Sequence, residues 1–201
     1  MDFYHSTTFK SRQLIIKENN LRKTEYDFPH YLDVIFNYYD SNKKIDFLPD
    51  VIQGQRQVPY LGDGVYCFDN KQAALNYNEE TFITIHCDKP NILDVDEPEF
   101  KLALYEFFAQ KLMDVVKEKF YDEDMKQGYA YLSEYLLNKL YDIEDCSSAT
   151  KFPYENFALM LFLYFTFEKH NEIPDVLCKN FPENPYLYYN IVNTNIIKEI
   201  S

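Results

Sequence analysis

The chain has 201 residues, and its 46% hydrophobic and 26% charged content is typical of a globular protein. Its 20 basic and 33 acidic residues give a formal net charge of −13, which argues against a broad nucleic-acid-binding face. No apolar run has the roughly 18 residues that a membrane span needs, and the first residues show no signal-peptide pattern. We therefore predict a cytoplasmic protein that makes no membrane contact.

The spacing of apolar residues predicts the elements of secondary structure. In chain order these are a strand at 2–4, helices at 9–20 and 31–39, a strand at 65–68, a helix at 71–77 and extended segments at 81–87 and 92–95. The second half continues with helices at 99–121, 129–141 and 154–167, returns to strand at 175–178 and 186–192, and closes with the segment 196–200. Early strands, a helical middle and late strands indicate an α+β domain. Asp69 is the predicted N-cap of the 71–77 helix.

Metal chemistry has little support in the sequence. The four cysteines are widely spaced and form no CxxC pair, so we expect buried free thiols. A carboxylate cluster at Asp94, Asp96 and Glu97 has the chemistry to hold a cation, but a solvated turn before a helix is the interpretation that we favour. We predict no metal site.

Three segments together form the most specific pattern in the chain. They are Tyr4–Thr7 (YHST), Leu61–Phe68 (LGDGVYCF) and Ala73–Tyr77 (AALNY). Two glycines flank an aspartate directly before a strand, where backbone can approach a ligand closely. Tyr66 and Tyr77, eleven residues apart on neighbouring elements, could face each other across a slot that fits a flat heteroaromatic ring.

This pattern resembles the ADP-ribosyltransferase superfamily, in particular the branch of poly(ADP-ribose) polymerases and their small bacterial relatives. That branch opens with His-Gly-Thr or His-Gly-Ser and carries a Gly-x-Gly-(Ile/Val)-Tyr-Phe strand, with a second tyrosine at the same spacing. The likeness covers residues 3–21, 60–95 and 174–200. It implies a single domain over 1–201, with a split β-sheet and a helical insertion at about 97–172.

The resemblance implies that NAD is the substrate. His5 would hydrogen-bond the adenine-side ribose, the backbone of Ser6 would hold the nicotinamide carboxamide, and Thr7 would support the turn. Tyr66 and Tyr77 would sandwich the nicotinamide ring.

The same resemblance gives the neighbouring loop a role in holding the dinucleotide. Gly62 and Gly64 would leave room for it. Three arginines are candidates for contacts with the pyrophosphate, because Arg binds phosphate bidentately: Arg12, Arg22 and Arg56. Arg56 is the best placed of the three, because it lies in the loop before Gly62.

The chain departs from the family pattern at three positions. Ser6 replaces a glycine, and Ala74 replaces a serine that contacts the nicotinamide amide. The family's late-strand glutamate falls at Pro185 or Tyr186, and the nearest carboxylate, Glu183, is one or two residues early. A one-residue slip turns a side chain to the other face of a strand.

Two hypotheses of different classes follow. The first is an NAD-dependent mono-ADP-ribosyltransferase, a bacterial or phage toxin or effector that modifies a macromolecule. The second is a catalytically inactive module that binds NAD or ADP-ribose, or that docks a protein partner on its helical middle. Each site residue also has a purely structural interpretation: His5 as a structural histidine, and Tyr66 and Tyr77 as core aromatics.

Overall fold

The computed structural model describes residues 1–25, 27–44, 61–78, 80–141, 148–166, 174–180 and 186–201. The chain divides into two compact units. The sheet unit comprises Met1–Glu25, Leu61–Glu97 and Glu172–Ser201. The helical unit comprises Tyr26–Tyr60 and Pro98–Asn171.

The order of elements in the chain alternates between the two units. The first half contains β1 (Asp2–Thr7), α1 (Phe9–Glu18), α2 (Phe28–Asn42), β2 (Val65–Cys67), α3 (Lys71–Asn78), β3 (Thr81–Cys87) and β4 (Ile92–Asp94). The second half contains α4 (Pro98–Glu106), a π-helical turn (Phe107–Lys111), α5 (Leu112–Lys119), α6 (Glu123–Tyr141), α7 (Ser148–Thr166), β5 (Val176–Asn180), β6 (Leu187–Ile191) and β7 (Ile197–Ile200).

The strands form two sheets in the sheet unit. A three-stranded antiparallel sheet has the order β1-β3-β7, and a four-stranded sheet has the order β2-β6-β5-β4. In the second sheet β4 and β5 are parallel, while the other neighbours are antiparallel. The late strand β6 thus lies between β5 and β2, so the C-terminal segment completes the sheet that carries Tyr66.

Alternation along the strands buries one face of both sheets. The core on that face consists of Phe3, Leu21, Val65, Cys67, Ile83, Ile85, Cys87, Val176, Cys178, Tyr189 and Ile191. The prediction of buried free thiols is confirmed for the three described cysteines. Burial raises the pKa of Cys87 to about 11 and that of Cys178 to about 12, so neither thiol is a nucleophile at neutral pH.

The helical unit has a core of its own, rich in aromatic rings. Its apolar residues recur at spacings of three and four, which is why the segment from Pro98 to Lys119 is helical throughout. The π-helical turn interrupts the regular hydrogen bonding, and the buried hydroxyl of Ser133 donates to the carbonyl oxygen of Phe108 at 2.6 Å. That bond satisfies a polar group within an apolar interior.

The α+β class predicted from the sequence is confirmed. One capping prediction is wrong: the carboxamide oxygen of Asn70, and not Asp69, accepts from the first backbone N–H groups of α3. Asp69 instead accepts the hydroxyl of Tyr189 at 3.2 Å. The helical unit also contains α2, in addition to the helical middle that the sequence analysis singled out.

Candidate functional site

The strands β1 and β2 meet at one backbone bridge. The N–H of Tyr4 donates to the carbonyl of Phe68 at 2.7 Å, and the N–H of Phe68 donates to the carbonyl of Tyr4 at 2.9 Å. An antiparallel ladder would continue with Ser6 opposite Tyr66. Instead, Nδ1 of His5 lies 2.7 Å from the carbonyl oxygen of Tyr66. We call the place where the ladder opens, beside Ser6 and Tyr66, the β1–β2 seam.

The peptide groups of Ser6 are directed into this seam. Along a strand, the backbone N–H and C=O groups of alternate residues point to the same neighbour. Because those of Tyr4 bond to Phe68, those of Ser6 also point toward β2. The described residues offer them no backbone partner there, since His5 holds the Tyr66 carbonyl. An adjacent donor and acceptor that point the same way match the acceptor and the donor of a planar amide.

The hydrogen bond of His5 fixes its tautomer. A carbonyl oxygen only accepts, so Nδ1 must carry the proton and Nε2 of the neutral ring is an acceptor. Burial lowers the pKa of His5, and its hydrogen bond to Tyr66 opposes this less strongly. His5 is therefore neutral at pH 7, with Nε2 available to accept from a hydroxyl group.

The ring of Tyr66 is held at its tip. Its hydroxyl donates to the carbonyl of Gly62 at 2.8 Å and accepts from the N–H of Leu61 at 2.9 Å. The phenol therefore bridges back to the turn that precedes its own strand. We call residues Leu61–Gly64 the anchor turn. Both bonds hold one edge of the ring, so the orientation of the ring depends on where the anchor turn lies.

Asn190 of β6 also binds the anchor turn and lies directly opposite Tyr66 in the sheet. Its buried Nδ2 reaches the carbonyls of Leu61, Gly62 and Asp63, at 2.8, 3.2 and 3.1 Å. Among the described residues, its Oδ1 has no hydrogen-bond partner. A Cβ added to Gly64 would lie 2.2 Å from that oxygen, so a Cα hydrogen of Gly64 points toward it.

The glycine at position 64 is thus explained within the sheet unit. Its φ of 155° lies in the region that favours glycine, and its backbone pairs with Thr24 on the other side. The room that the absent side chain leaves is filled by Asn190 and by the carbonyl of Ile191, where the resemblance implied room for a dinucleotide. Gly62 has a φ of 78°, a turn conformation that glycine adopts without strain.

Tyr77 forms an aromatic patch with Phe68 and Tyr188 on the face of the sheet that carries Tyr66. Its ring lies 5.6 Å from that of Phe68 and 6.2 Å from that of Tyr188, and 67% of the residue is exposed. Tyr66 and Phe68 are alternate residues, so their rings share one face. Tyr77 therefore covers Phe68, next to Tyr66 along the strand. The nearby Ala74 is fully buried, which lets α3 pack closely on this face.

Four further residues come from the sequence analysis: Thr7, Arg56, Glu183 and Tyr186. Thr7 is buried at the end of β1, next to Thr8, whose hydroxyl caps α1. Arg56 and Glu183 lie outside the described residues. Tyr186, at the position expected for the late-strand glutamate, packs with the cluster around Phe68.

Arg12 is a described alternative for binding an anion. It lies on α1, in the second turn after β1, beside a surface cavity that Phe9, Gln13, Ile16 and Lys17 also line. Its Nε is buried and finds no hydrogen-bond partner in the part of the chain that the structure describes. Arg22, in contrast, is exposed.

Asn190 is the site residue that the sequence analysis missed. The available signal was one amide within a strand of aromatic and aliphatic residues, at 186–192. A buried polar residue in such a strand must be hydrogen-bonded, so it points to a specific partner. The partner itself could not be inferred, because it lies more than 120 residues earlier in the chain.

Across the described ranges, no three His, Cys, Asp or Glu side chains come together in a way that could hold a metal ion. Within the same ranges, no helix has the length and apolar character needed to cross a membrane.

Comparison with family models, with curated proteins and with solved structures found no significant match to this chain.

Proposed function

We propose that the protein is an NAD-dependent mono-ADP-ribosyltransferase. The observation that carries the proposal is the β1–β2 seam, where the His5 side chain takes the place of a backbone bond and leaves the peptide groups of Ser6 directed toward β2 with no backbone partner among the described residues. Two sheets that separate beside a histidine on one strand and a tyrosine on the next agree with the split sheet that the resemblance implies. NAD would bind in this seam.

The nicotinamide end fits the groups around Ser6. A primary carboxamide presents one donor and one acceptor in a plane, and the C=O and N–H of Ser6 complement them. The attached pyridinium ring would then stack on Tyr66, whose orientation is fixed by its hydroxyl. Tyr77, largely exposed, would cover the ring from the side of the aromatic patch.

The adenosine end requires a hydrogen-bond acceptor for a ribose hydroxyl. Nε2 of neutral His5 supplies one, because Nδ1 is committed to Tyr66. The pyrophosphate requires a cation, for which Arg56 is the candidate from the sequence and Arg12 the candidate among described residues. These contacts would hold both halves of NAD while the bond between nicotinamide and ribose is stretched.

In the reaction, the bond between the ribose anomeric carbon and the nicotinamide nitrogen breaks, and nicotinamide leaves with the bonding electrons. A nucleophile of the acceptor forms the new bond to that carbon and releases a proton. The positive charge that develops on the ribose calls for a nearby carboxylate. The described part of the late strand, Tyr186–Ile191, contains none, so we expect slow turnover.

The decisive experiment uses NAD with a radioactive label in its adenylate part and follows that label. The protein is incubated with labelled NAD and a cell lysate, and both nicotinamide release and label transfer to macromolecules are measured. Transfer that the parent protein performs and the His5→Ala variant does not supports the proposal. Ser133→Ala, which alters only the core of the helical unit, is the matched control and should retain transfer.

The missing carboxylate favours a second candidate function, a module that binds NAD or ADP-ribose without turnover. In this case calorimetry would show binding of NAD or ADP-ribose, and no lysate would cause nicotinamide release. Absence of both binding and release would reject both candidates.

A further inference from the structure

We propose that Asn190 is a positioning residue, which orients the ring of Tyr66 for ligand binding by holding the anchor turn. The inference rests on the proposed function for the identity of the ligand, NAD. The link between Asn190 and Tyr66 is independent of the proposed function, because the contacts of the anchor turn define that link.

The first step of the argument is that Asn190 holds the turn from within the sheet. Its amide nitrogen faces three consecutive carbonyl oxygens, those of Leu61, Gly62 and Asp63. Carbonyl oxygens only accept, so the orientation of the amide is determined and both of its hydrogens are used. Without this donor, the carbonyls of Leu61 and Asp63 would each lose a hydrogen bond, and that of Gly62 would keep the one from the Tyr66 hydroxyl.

The second step links the turn to Tyr66. The phenol hydroxyl uses its donor on Gly62 and accepts from Leu61, so it binds the backbone of the same turn. Asn190 and Tyr66 therefore share the carbonyl of Gly62 as an acceptor. The two residues are also register partners on neighbouring strands. A displacement of the turn would move the tip of the ring.

The third step is that the local backbone is built around Asn190. Gly64 has no side chain, and the space beside its Cα is occupied by Oδ1 of Asn190. The Gly64 backbone is fixed from the other side by reciprocal hydrogen bonds with Thr24, at 2.8 and 3.1 Å. The turn thus binds Thr24 on one side and Asn190 on the other, and Asn190 lies on the side of Tyr66.

The link is tested first without any ligand. Protein is produced with tyrosine labelled with carbon-13 at the phenolic carbon, and the signal of Tyr66 is identified as the one lost in Tyr66→Phe. In Asn190→Ala, we expect this signal to shift toward that of solvent-exposed tyrosine, while most other tyrosine signals stay in place. An unchanged Tyr66 signal in folded Asn190→Ala would overturn the proposal.

The functional consequence is tested by a double-mutant cycle on NAD affinity, measured by calorimetry on folded protein. Asn190→Ala should weaken NAD binding about tenfold in the parent background. In the Tyr66→Phe background the same change should cost less than twofold, because the ring is no longer tied to the turn. Equal losses in both backgrounds, or parent affinity in Asn190→Ala, would overturn the proposal.

Controls separate positioning from general destabilisation. Ser133→Ala also removes a buried hydrogen bond to a backbone carbonyl, but in the helical unit, and should leave NAD affinity and the Tyr66 signal unchanged. If Asn190→Ala does not fold, Asn190→Ser, which keeps one donor, takes its place in both measurements. If the parent protein binds no NAD, the proposed function fails, and the Tyr66 signal alone decides whether Asn190 positions the ring.

Discussion

The imidazole of His5 and the carbonyl of Tyr66 form a hydrogen bond of 2.7 Å at a place where the backbone of β1 would otherwise bind that carbonyl. The bond has two consequences. It keeps β1 and β2 from pairing beyond Tyr4 and Phe68, and it fixes the proton of His5 on Nδ1. The side chain of His5 therefore ends the pairing of β1 with β2 and presents a hydrogen-bond acceptor at that place.

The first prediction concerns the pH dependence of stability. Because burial lowers the pKa of His5 in the folded protein, the unfolded chain binds its proton more readily. The contribution of neutral His5 is fully present above the ordinary histidine pKa of about 6.5 and is lost as the pH falls toward the lowered pKa. Denaturant unfolding between pH 8 and 5 should show this loss.

His5→Asn keeps a donor for the Tyr66 carbonyl but cannot take up a proton, so its stability should fall less steeply with acid. His30→Asn, at an exposed position on α2, is the matched control for the substitution itself. A parent profile that is flat, or one that His5→Asn reproduces, would contradict the assignment. NAD affinity of the parent should fall over the same acidic range, because protonated Nε2 cannot accept.

The second prediction tests the peptide groups of Ser6. Ser6→Pro removes the N–H that points into the seam, and the fold should tolerate it, because this N–H belongs to no ladder. NAD affinity should drop at least tenfold. Ser6→Ala keeps the N–H and removes a buried hydroxyl that has no hydrogen-bond partner within the described ranges, so it should bind NAD normally and gain about 1 kcal/mol in unfolding free energy.

Calorimetry and thermal melting of both variants provide the measurements. The interpretation of the seam fails if folded Ser6→Pro binds NAD as tightly as Ser6→Ala does. It also fails if Ser6→Ala is the weaker binder of the two, since the contact would then come from the hydroxyl.

Most of the fold was accessible from the sequence because its elements carry strong local signals. The strand at Thr81–Cys87 is rich in β-branched residues, and α1 ends at Asn19, which adopts the left-handed conformation typical of a C-cap. The cap of α3 was misassigned because Asp69 and Asn70 are adjacent and both cap well. Only tertiary structure, through Tyr189, decides between them.

The candidate site was accessible only in part. His5, Ser6 and Tyr66 could be singled out because their motif is local, and the structure brings all three to the β1–β2 seam. The role of Gly64 could not be predicted from the sequence, because the side chain that fills its space comes from Asn190, far along the chain. Register between distant strands decides such contacts, and the sequence pattern does not encode it directly.

The third prediction concerns Gly64. Gly64→Ala places a Cβ 2.2 Å from Asn190 and 2.6 Å from the carbonyl of Ile191, in a backbone conformation that disfavours side chains. The backbone carbonyl cannot move aside, so we expect a loss of about 3 kcal/mol or more in unfolding free energy. Gly62→Ala, where φ is 78°, should lose about 1–2 kcal/mol. Equal losses in denaturant unfolding would contradict the account of Gly64.

The fourth prediction compares stacking with burial. Tyr66→Ala should weaken NAD binding by about 1–3 kcal/mol, by analogy with the stacking of bases on aromatic side chains. Cys87→Ala removes a buried thiol from β3, in the three-stranded sheet, and should change NAD affinity little. Calorimetry on folded protein distinguishes the two. A Tyr66→Ala variant that binds NAD like the parent would argue against a ring-binding site at Tyr66.

The last prediction concerns the late strand, where the family pattern places a glutamate and this chain has Pro185 or Tyr186. Tyr186 packs with the aromatic patch, and a phenol with a pKa near 10 is a weak substitute for a carboxylate. Losing one preorganised contact to the transition state typically costs 10²–10³ in rate. We therefore expect slow nicotinamide release from the parent protein.

Two variants assign the remaining activity. Glu183→Gln abolishes nicotinamide release if Glu183, despite its position one or two residues early, supplies the charge, because an X-Pro step permits a bend before Pro185. Tyr186→Phe reduces release if the phenol stabilises the developing charge instead. We expect Glu183→Gln to have the larger effect, since an ionised carboxylate interacts more strongly with a cationic ribose than a neutral hydroxyl does. Full activity in both variants would place the acidic group elsewhere or in the acceptor.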